Sequence, residues 1–349
     1  MPTRALRKTA LLIAFNLVVS IGLLEGLFLL LLHTPRLTAA SPAPVRRLIQ
    51  QVYRHFNRSL IQFDPDCARY DPEVTYTLKP GSCTFSNIEF TNGYRINHLG
   101  LRDSEAALES PEIVVLGDSH AMGWGVEQDQ AFPKVVEQRT GLKTLNAAVS
   151  SYATVREMRM LGRLDTSRLR YLVVQYADND LPENRAFKEH GNQLPITTEE
   201  KYQEIVRYYG SQRRYIPGKY LYRLVMKVLR LEPPEPDQLK MEAIAASDEA
   251  KLFLNALEHA AGQAEASLTH VQIIMLEIGQ EFAHPKAFVA AVAEESRHDG
   301  HPPFTQLLLT LDTTSVLKPD DFYVLDDHMT ARGHQMVGEA LAELIKSVR

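Results

Sequence analysis

Three stretches carry the residues of this chain that could do chemistry: Ser119 in "IVVLGDSHAMGWGV", Asn179 in "QYADNDLPEN", and Asp326 with His328 in "FYVLDDHMTARGH". A hydroxyl, an imidazole and a carboxylate are the parts of acyl transfer: a nucleophile, the base that takes its proton, and the group that orients the base. An asparagine amide joined by backbone N–H groups would supply donors for a developing oxyanion. Each residue also has a plain structural alternative. A serine at a strand-to-helix turn commonly caps the helix. His334 falls on the first turn of the final helix, where packing is its expected role. His120 is a candidate substrate contact, Trp124 is expected in the core, and "RHDGH" (Arg297 to His301) reads as a turn.

The apolar runs show what must position these groups. "EIVVLG", "KTLNAAV", "YLVVQYA", "VQIIMLEI" and "TQLLLTL" alternate with helical patterns. That alternation predicts an α/β fold: a three-layer α/β/α sandwich around a five-stranded parallel sheet covered on both faces. Ligands of open sheets bind beyond the carboxyl ends of the strands. Ser119 follows the first run; Asn146, Ser150 and Ser151 follow the second; Asp178, Asn179 and Asp180 follow the third. Asp326, Asp327 and His328 lie in the loop before the last helix. Residues 181–269 form a mostly helical insertion, longer than an ordinary crossover and placed to roof such a site.

At these residues the chain resembles the SGNH (GDSL-type) hydrolase family. Gly117-Asp118-Ser119 matches the first block, Asn179-Asp180 the asparagine block, and Asp326-x-His328 with Gly333-His334 the last. "INHLGLRD" together with "GDSHAMGWGV" is similar to membrane-anchored bacterial members. The resemblance covers roughly residues 111–349 and implies a flavodoxin-like sheet without a cofactor. It implies Ser119 as nucleophile, His328 as base and Asp326 as the orienting residue. The oxyanion donors would be the backbone N–H groups of Ser119 and Ser151 and the Asn179 side chain, with Asp118 and His120 beside the bound ester. The chain departs from the family at three places. Ser151 stands where glycine is usual, the Ala177-Asp178-Asn179-Asp180 block also lacks its glycine, and Leu325 occupies the usual aspartate position three before the histidine. The spacing of Asp326 is similar to that of alginate acetyltransferase-like relatives. Asp326 and Asp327 therefore both stay open as the orienting carboxylate, and acyl transfer stays open beside hydrolysis.

Composition places the chain. An apolar run from Ala10 to Leu32, after Arg4, Arg7 and Lys8, is long enough to span a bilayer as an uncleaved single-pass anchor. The flanking charge favours a cytoplasmic N-terminus and an inner-membrane protein whose main body is periplasmic. Asn16 and Glu25 interrupt the run; an ionisable group at membrane depth is a candidate functional site, a protonated or partner-bonded Glu25 is an equal alternative, and no chemistry is assigned to it. Cys67 and Cys83 are the only cysteines; an oxidising compartment favours a disulfide, and two free thiols are the alternative. No metal-ligand spacing surrounds them, so no metal is expected. A net charge of −5 argues against nucleic acid as a partner.

The expected organisation is an anchor (1–33), a linker and accessory segment with the cysteine pair (34–108), and a hydrolase domain (109–349). In "KYLYRLVMKVLRL", Lys219, Arg223, Lys227 and Arg230 share one helical face largely opposite Leu221, Leu224, Val225 and Val228. This reads either as a membrane-surface helix or as an ordinary solvated one. The functional expectation is a membrane-anchored extracytoplasmic serine hydrolase that cleaves esters through an acyl-enzyme, on O-acyl (O-acetyl) groups of an envelope glycan. An O-acyltransferase of a cell-surface polysaccharide and a catalytically silent glycan-binding or assembly protein are the alternatives.

Overall fold

A computed structural model describes residues 4–212, 214–229, 244–261, 268–280 and 282–349, which fall into two compact units. Arg230 of the expected basic face lies outside the described residues, as do the side chains of Arg4, Lys227 and Val228.

The first unit comprises Met1–Ser59, Arg207–Pro236 and Val324–Asp326. Its main element is α1 (Arg4–His33), followed by α2 (Pro35–Ala40) and α3 (Ala43–Phe56). Part of the stretch expected as a Pro/Ala linker is therefore helical, with Pro35 in the first turn, where its missing N–H costs nothing. From Arg7 to His33, α1 is long and apolar enough to cross a membrane. One stripe of it is buried within the unit (Glu25, Phe28 and Leu32, at helical spacing), while Leu23, Leu27 and Leu30 are exposed.

The second unit comprises Leu60–Val206, Asp237–Tyr323 and Asp327–Arg349. It opens with two antiparallel hairpins, β1 (Ala68–Asp71) with β2 (Thr75–Leu78), and β3 (Gly81–Ser86) with β4 (Thr91–Ile96). A Cys67–Cys83 disulfide, Cα atoms 5.5 Å apart, ties the residue before β1 to β3. The main sheet follows: β5 (Ile113–Leu116), β6 (Thr144–Asn146), β7 (Tyr171–Tyr176), β8 (Gln272–Glu277) and β9 (Leu309–Leu311). All pairs are parallel, in the order β6-β5-β7-β8-β9. β5 and β7 are buried at every position, because helices cover both faces.

The intervening helices are α4 (Ser119–Met122), α5 (Phe132–Thr140), α6 (Thr154–Leu161), α7 (Asp180–Glu189), α8 (Glu199–Gln212), α9 (Lys219–Val228), α10 (Ala246–Ala260), α11 (Ala283–Glu295), α12 (Pro303–Gln306) and α13 (Ala331–Ser347). The last six residues of α8 (207–212) and all of α9 count with the first unit. Ile113, Val115, Val173 and Ile274 of the sheet share one core with Phe132 and Val136 of α5 and Val337 and Leu341 of α13. The run "TQLLLTL" is shorter as a strand than the sequence suggests. Pro303 starts a one-turn helix that takes up Thr305 and Gln306, and only Leu309–Leu311 pair with β8.

Helices α5 and α13 meet at Gly338, where an added Cβ would lie 2.5 Å from Val135 Cβ and 3.0 Å from the Phe132 carbonyl oxygen. Gly338→Ala gains about 1 kcal/mol of helix propensity. The clash should outweigh that gain, for a net loss of about 1–2 kcal/mol in urea denaturation of the detergent-solubilised protein.

Candidate active site

The turn after β5 is fixed from below. Gln175 of β7 accepts from the backbone N–H groups of Asp118 (3.2 Å) and Ala121 (3.0 Å) through one side-chain oxygen. That oxygen would lie 2.6 Å from a Cβ on residue 117, so glycine is required there by close approach. Asp118 caps α4 by accepting from His120 N–H at 2.9 Å, which leaves Ser119 as the first helical residue, buried to 7% exposure.

A second loop brings the base. Phe322 and Met329 bridge antiparallel, and Tyr323 N–H donates to the His328 carbonyl at 3.0 Å, so the chain doubles back before α13. His328 Nε2 lies 2.6 Å from Ser119 Oγ, a hydrogen bond between residues 209 positions apart in sequence. On the opposite side of the ring, Nδ1 is 3.3 Å from Asp327 Oδ1. Two rings pack against it: Trp124 stacks at 4.8 Å with 19° between planes, and His120 sits tilted at 4.7 Å. A ring so packed keeps its Nε2 aimed at the serine.

Asp326 belongs to the first unit. Its side chain is fully buried, accepts from Tyr53 Oη–H at 2.8 Å, and lies 4.0 Å from the Arg58 guanidinium.

The loop after β6 is held by three groups with no mark in the sequence pattern. Gln62 donates to Ser151 Oγ (2.9 Å) and accepts from Ser150 Oγ–H (3.1 Å); the Tyr76 hydroxyl donates to the carbonyls of Ser150 and Ser151; the Tyr152 hydroxyl returns to the Tyr76 carbonyl. Ser151 is exposed and sits at φ +57°, a left-handed conformation that a glycine would adopt more easily. Asn179 is exposed at the start of α7, and its Nδ2 lies 3.4 Å from the Tyr152 carbonyl. Asn146 and Asp180 are buried and structural. The Asn146 amide donates to the Ala121 carbonyl; the Asp180 carboxylate accepts from the Thr154 and Ala177 N–H groups.

The arrangement thus brings Ser119, His328, His120, Asp118 and Asp327 together. Gln175, which holds the serine turn, and Gln62, which holds the loop after β6, are partners that sequence reasoning missed; Trp124, expected in the core, is buried there and also stacks on His328. Arg102 belongs with them: fully buried, it lies 3.6 Å over the Tyr94 ring and donates to the carbonyls of Met122, Gly123 and Val126, bracketing Trp124. The "LRD" of the accessory segment was the available signal. His334 takes no part in the Ser119–His328 contact. It accepts from Phe132 N–H at 3.3 Å, and burial, helped by the charges of Arg102 and His328, pushes it down to about 3.

No family model and no curated protein matches this chain. Among solved structures it is similar to a candidate lipolytic protein of the G-D-S-L family from Desulfitobacterium hafniense DCB-2. The identity is 13% and the TM-score 0.38, over 66% of this chain and 98% of that one. The chemistry of the site rests on its own geometry.

Burial pushes the Asp118 carboxyl up to about 6, against the opposing pull of the His120 N–H and the His328 charge. The folded state thus holds a proton that the unfolded chain releases near pH 4, and stability contributed by Asp118 falls as pH rises through that window. His334, with its depressed value, slopes the other way, so a difference measurement is needed. Asp118→Asn keeps the cap without the titration. Wild-type stability minus that of the variant should fall by up to about 3 kcal/mol between pH 4 and 6.5 in denaturant titrations.

Proposed function

We propose that this protein is a membrane-anchored serine hydrolase that cleaves an ester through an acyl-enzyme on Ser119. One observation carries the reading: the 2.6 Å contact between His328 Nε2 and Ser119 Oγ at the tips of a parallel sheet. A serine that served only as a cap would turn its hydroxyl toward helix N–H groups, and here Asp118 already caps α4.

In this reading Nε2 holds the lone pair and Nδ1 the proton, the tautomer that a carboxylate on the Nδ1 side favours. As Ser119 Oγ forms its bond to the ester carbon, its proton passes to Nε2 and the carbonyl oxygen becomes an oxyanion. The Ser119 and Ser151 backbone N–H groups and the second Nδ2 proton of Asn179 are assigned as its donors. Collapse expels the alcohol, which takes the proton from Nε2. Water then repeats the sequence and frees the acid. We assign the orienting role to Asp326 from its spacing and full burial. A carboxylate out of water supports an imidazolium more strongly than the one-third exposed Asp327.

We place the enzyme in the inner membrane with its second unit outside the cytoplasm, acting on O-acyl, most simply O-acetyl, groups of an envelope glycan. Support comes from α1, from the basic residues that precede its apolar run and from the Cys67–Cys83 disulfide, a bond of oxidising compartments. The Asp326-x-His328 spacing favours a second reading, in which a sugar hydroxyl replaces water as acceptor.

Hydrolysis of a short aryl ester by the purified full chain, with and without an acceptor sugar, tests both. Ser119→Ala and His328→Ala should each abolish nearly all turnover, and the double variant should be scarcely worse, since such a unit fails non-additively. Full activity in a folded Ser119→Ala protein would end the proposal. Asn179→Ala should cost roughly 10²- to 10³-fold in kcat if its amide is an oxyanion donor.

The aspartates separate in the same assay. Asp326→Asn should lower kcat by up to about 10⁴-fold and Asp327→Asn far less; the reverse order would move the orienting role to Asp327.

A further inference from the structure

Glu25 is a carboxylate inside the apolar run of α1, and the chemistry of the active site does not use it. It is 5% exposed, and its two oxygens accept from the backbone N–H groups of Tyr220 (3.2 Å) and Leu221 (3.1 Å) in the first turn of α9. Tyr220 is itself buried and donates its hydroxyl to Asn57 at the end of α3. The start of α9 is thereby fixed to one level of α1. Glu25 lies seven residues before Leu32, roughly 10 Å along the axis from the outer end of the apolar run at 1.5 Å per residue.

The other face of α9 is unusual for a helix in water. Tyr222, Val225 and Leu229 form an i, i+3, i+7 stripe, and each is more than half exposed, as is Ile216 just before the helix. The polar side is turned inward. Lys219 is 5% exposed and donates to the Gln212 carbonyl, while the Arg223 guanidinium lies 5.6 Å over the Phe56 ring and donates to the Gln212 side chain. A soluble amphipathic helix would show the opposite arrangement. The exposed stripe stands on an element packed against α1, whose own Leu23, Leu27 and Leu30 are exposed. One solvent suits both surfaces, and it is the solvent of the spanning helix.

We propose that α9 is a second membrane contact: its Tyr222-Val225-Leu229 stripe, with Ile216, is seated in the outer leaflet, and Glu25 clamps its N-terminus to α1 at that depth. The occupant is lipid, at the boundary of headgroups and acyl chains, where an interfacial helix buries its apolar face about 5–10 Å deep. The clamp satisfies three groups that hydrocarbon would leave costly, one carboxylate and two N–H donors. The proposal rests on α1 spanning the membrane, so its test measures both.

Because the native cysteines are joined, Val225→Cys or Leu17→Cys in the full chain takes a thiol-reactive environment-sensitive fluorophore selectively. Each labelled protein is reconstituted in phosphatidylethanolamine–phosphatidylglycerol vesicles. The vesicles carry lipid nitroxides either near the acyl carbonyl or at mid-chain. The Leu17 probe should lose most of its fluorescence to the mid-chain quencher, and the Val225 probe most of its fluorescence to the shallow one. A quenched Leu17 probe beside an unquenched, water-exposed Val225 probe would overturn the inference and leave the span intact. A Val225 probe shielded from water but unquenched by either lipid would point to a protein partner, such as a second copy, and also overturn it. An unquenched Leu17 probe would overturn the span and the inference together. Glu25→Ala should release the Val225 probe from the shallow quencher while the Leu17 probe stays quenched; unchanged quenching at both would remove Glu25 from the role.

Discussion

The hydrogen bond between His328 and Ser119 is short, and its ends sit on loops that nothing local holds together. Strand β5 delivers the serine, and a doubled-back loop after β9 delivers the histidine. In the proposed reaction a misplacement of 1 Å at this contact would cost about 10²-fold in rate. Much of the surrounding structure can be understood as restraint on those two loops. Gln175 holds the serine turn from the sheet below; Arg102 grips the carbonyls on either side of Trp124; Trp124 in turn lies flat on the imidazole. The buried guanidinium is tolerable because backbone carbonyls and the Tyr94 ring replace its water.

The second unit also carries groups that fold at a cost. Asp118, Glu157 and Asp180 are all buried, desolvation raises the pKa of each, and the two Glu157 oxygens lack a hydrogen-bond partner among the described residues. Ser151 adds a left-handed backbone of the kind worth of order 1 kcal/mol against a non-glycine residue. Gln62, Tyr76 and Tyr152 offset it by pinning the loop from three sides. Backbone strain of this kind clusters at functional sites, which agrees with the site proposed here.

The sheet was legible in the sequence because strands buried on both faces must read as continuous apolar runs. The placement of Ser119 followed, since polar residues directly after such runs stand at the carboxyl edge. The supporting residues were not legible, for a physical reason. Gln62, Tyr76, Arg102 and Trp124 act through contacts across dozens of residues, and no periodicity marks a side chain whose role is to reach one distant carbonyl. β9 was overextended because apolarity alone does not reveal that Pro303 starts a helix turn. The basic face of α9 was visible as a pattern, yet its direction was not. Lys219 turns inward and Tyr222 outward because Gln212, Phe56 and Glu25 supply the partners, and two of those lie far away in the chain.

The two units share one electrostatic device in two settings. Asp118 offers a carboxylate oxygen to a helix N–H in a protein interior; Glu25 offers both of its oxygens to two N–H groups of α9. The first turn of a helix carries a partial positive charge and unpaired donors, so an acid there satisfies charge and hydrogen bonding at once. At Asp118 one oxygen takes the His120 N–H, and the cost of the remainder shows as a carboxyl pushed up to about 6 by burial. In a helix that crosses hydrocarbon no solvent takes the remainder, and each unmet group costs several kcal/mol. On the proposed span, the two-oxygen contact at Glu25 meets that demand. On the same proposal an acid within the apolar run is accounted for: its oxygens are matched to two N–H groups of α9, and only 5% of the residue is exposed.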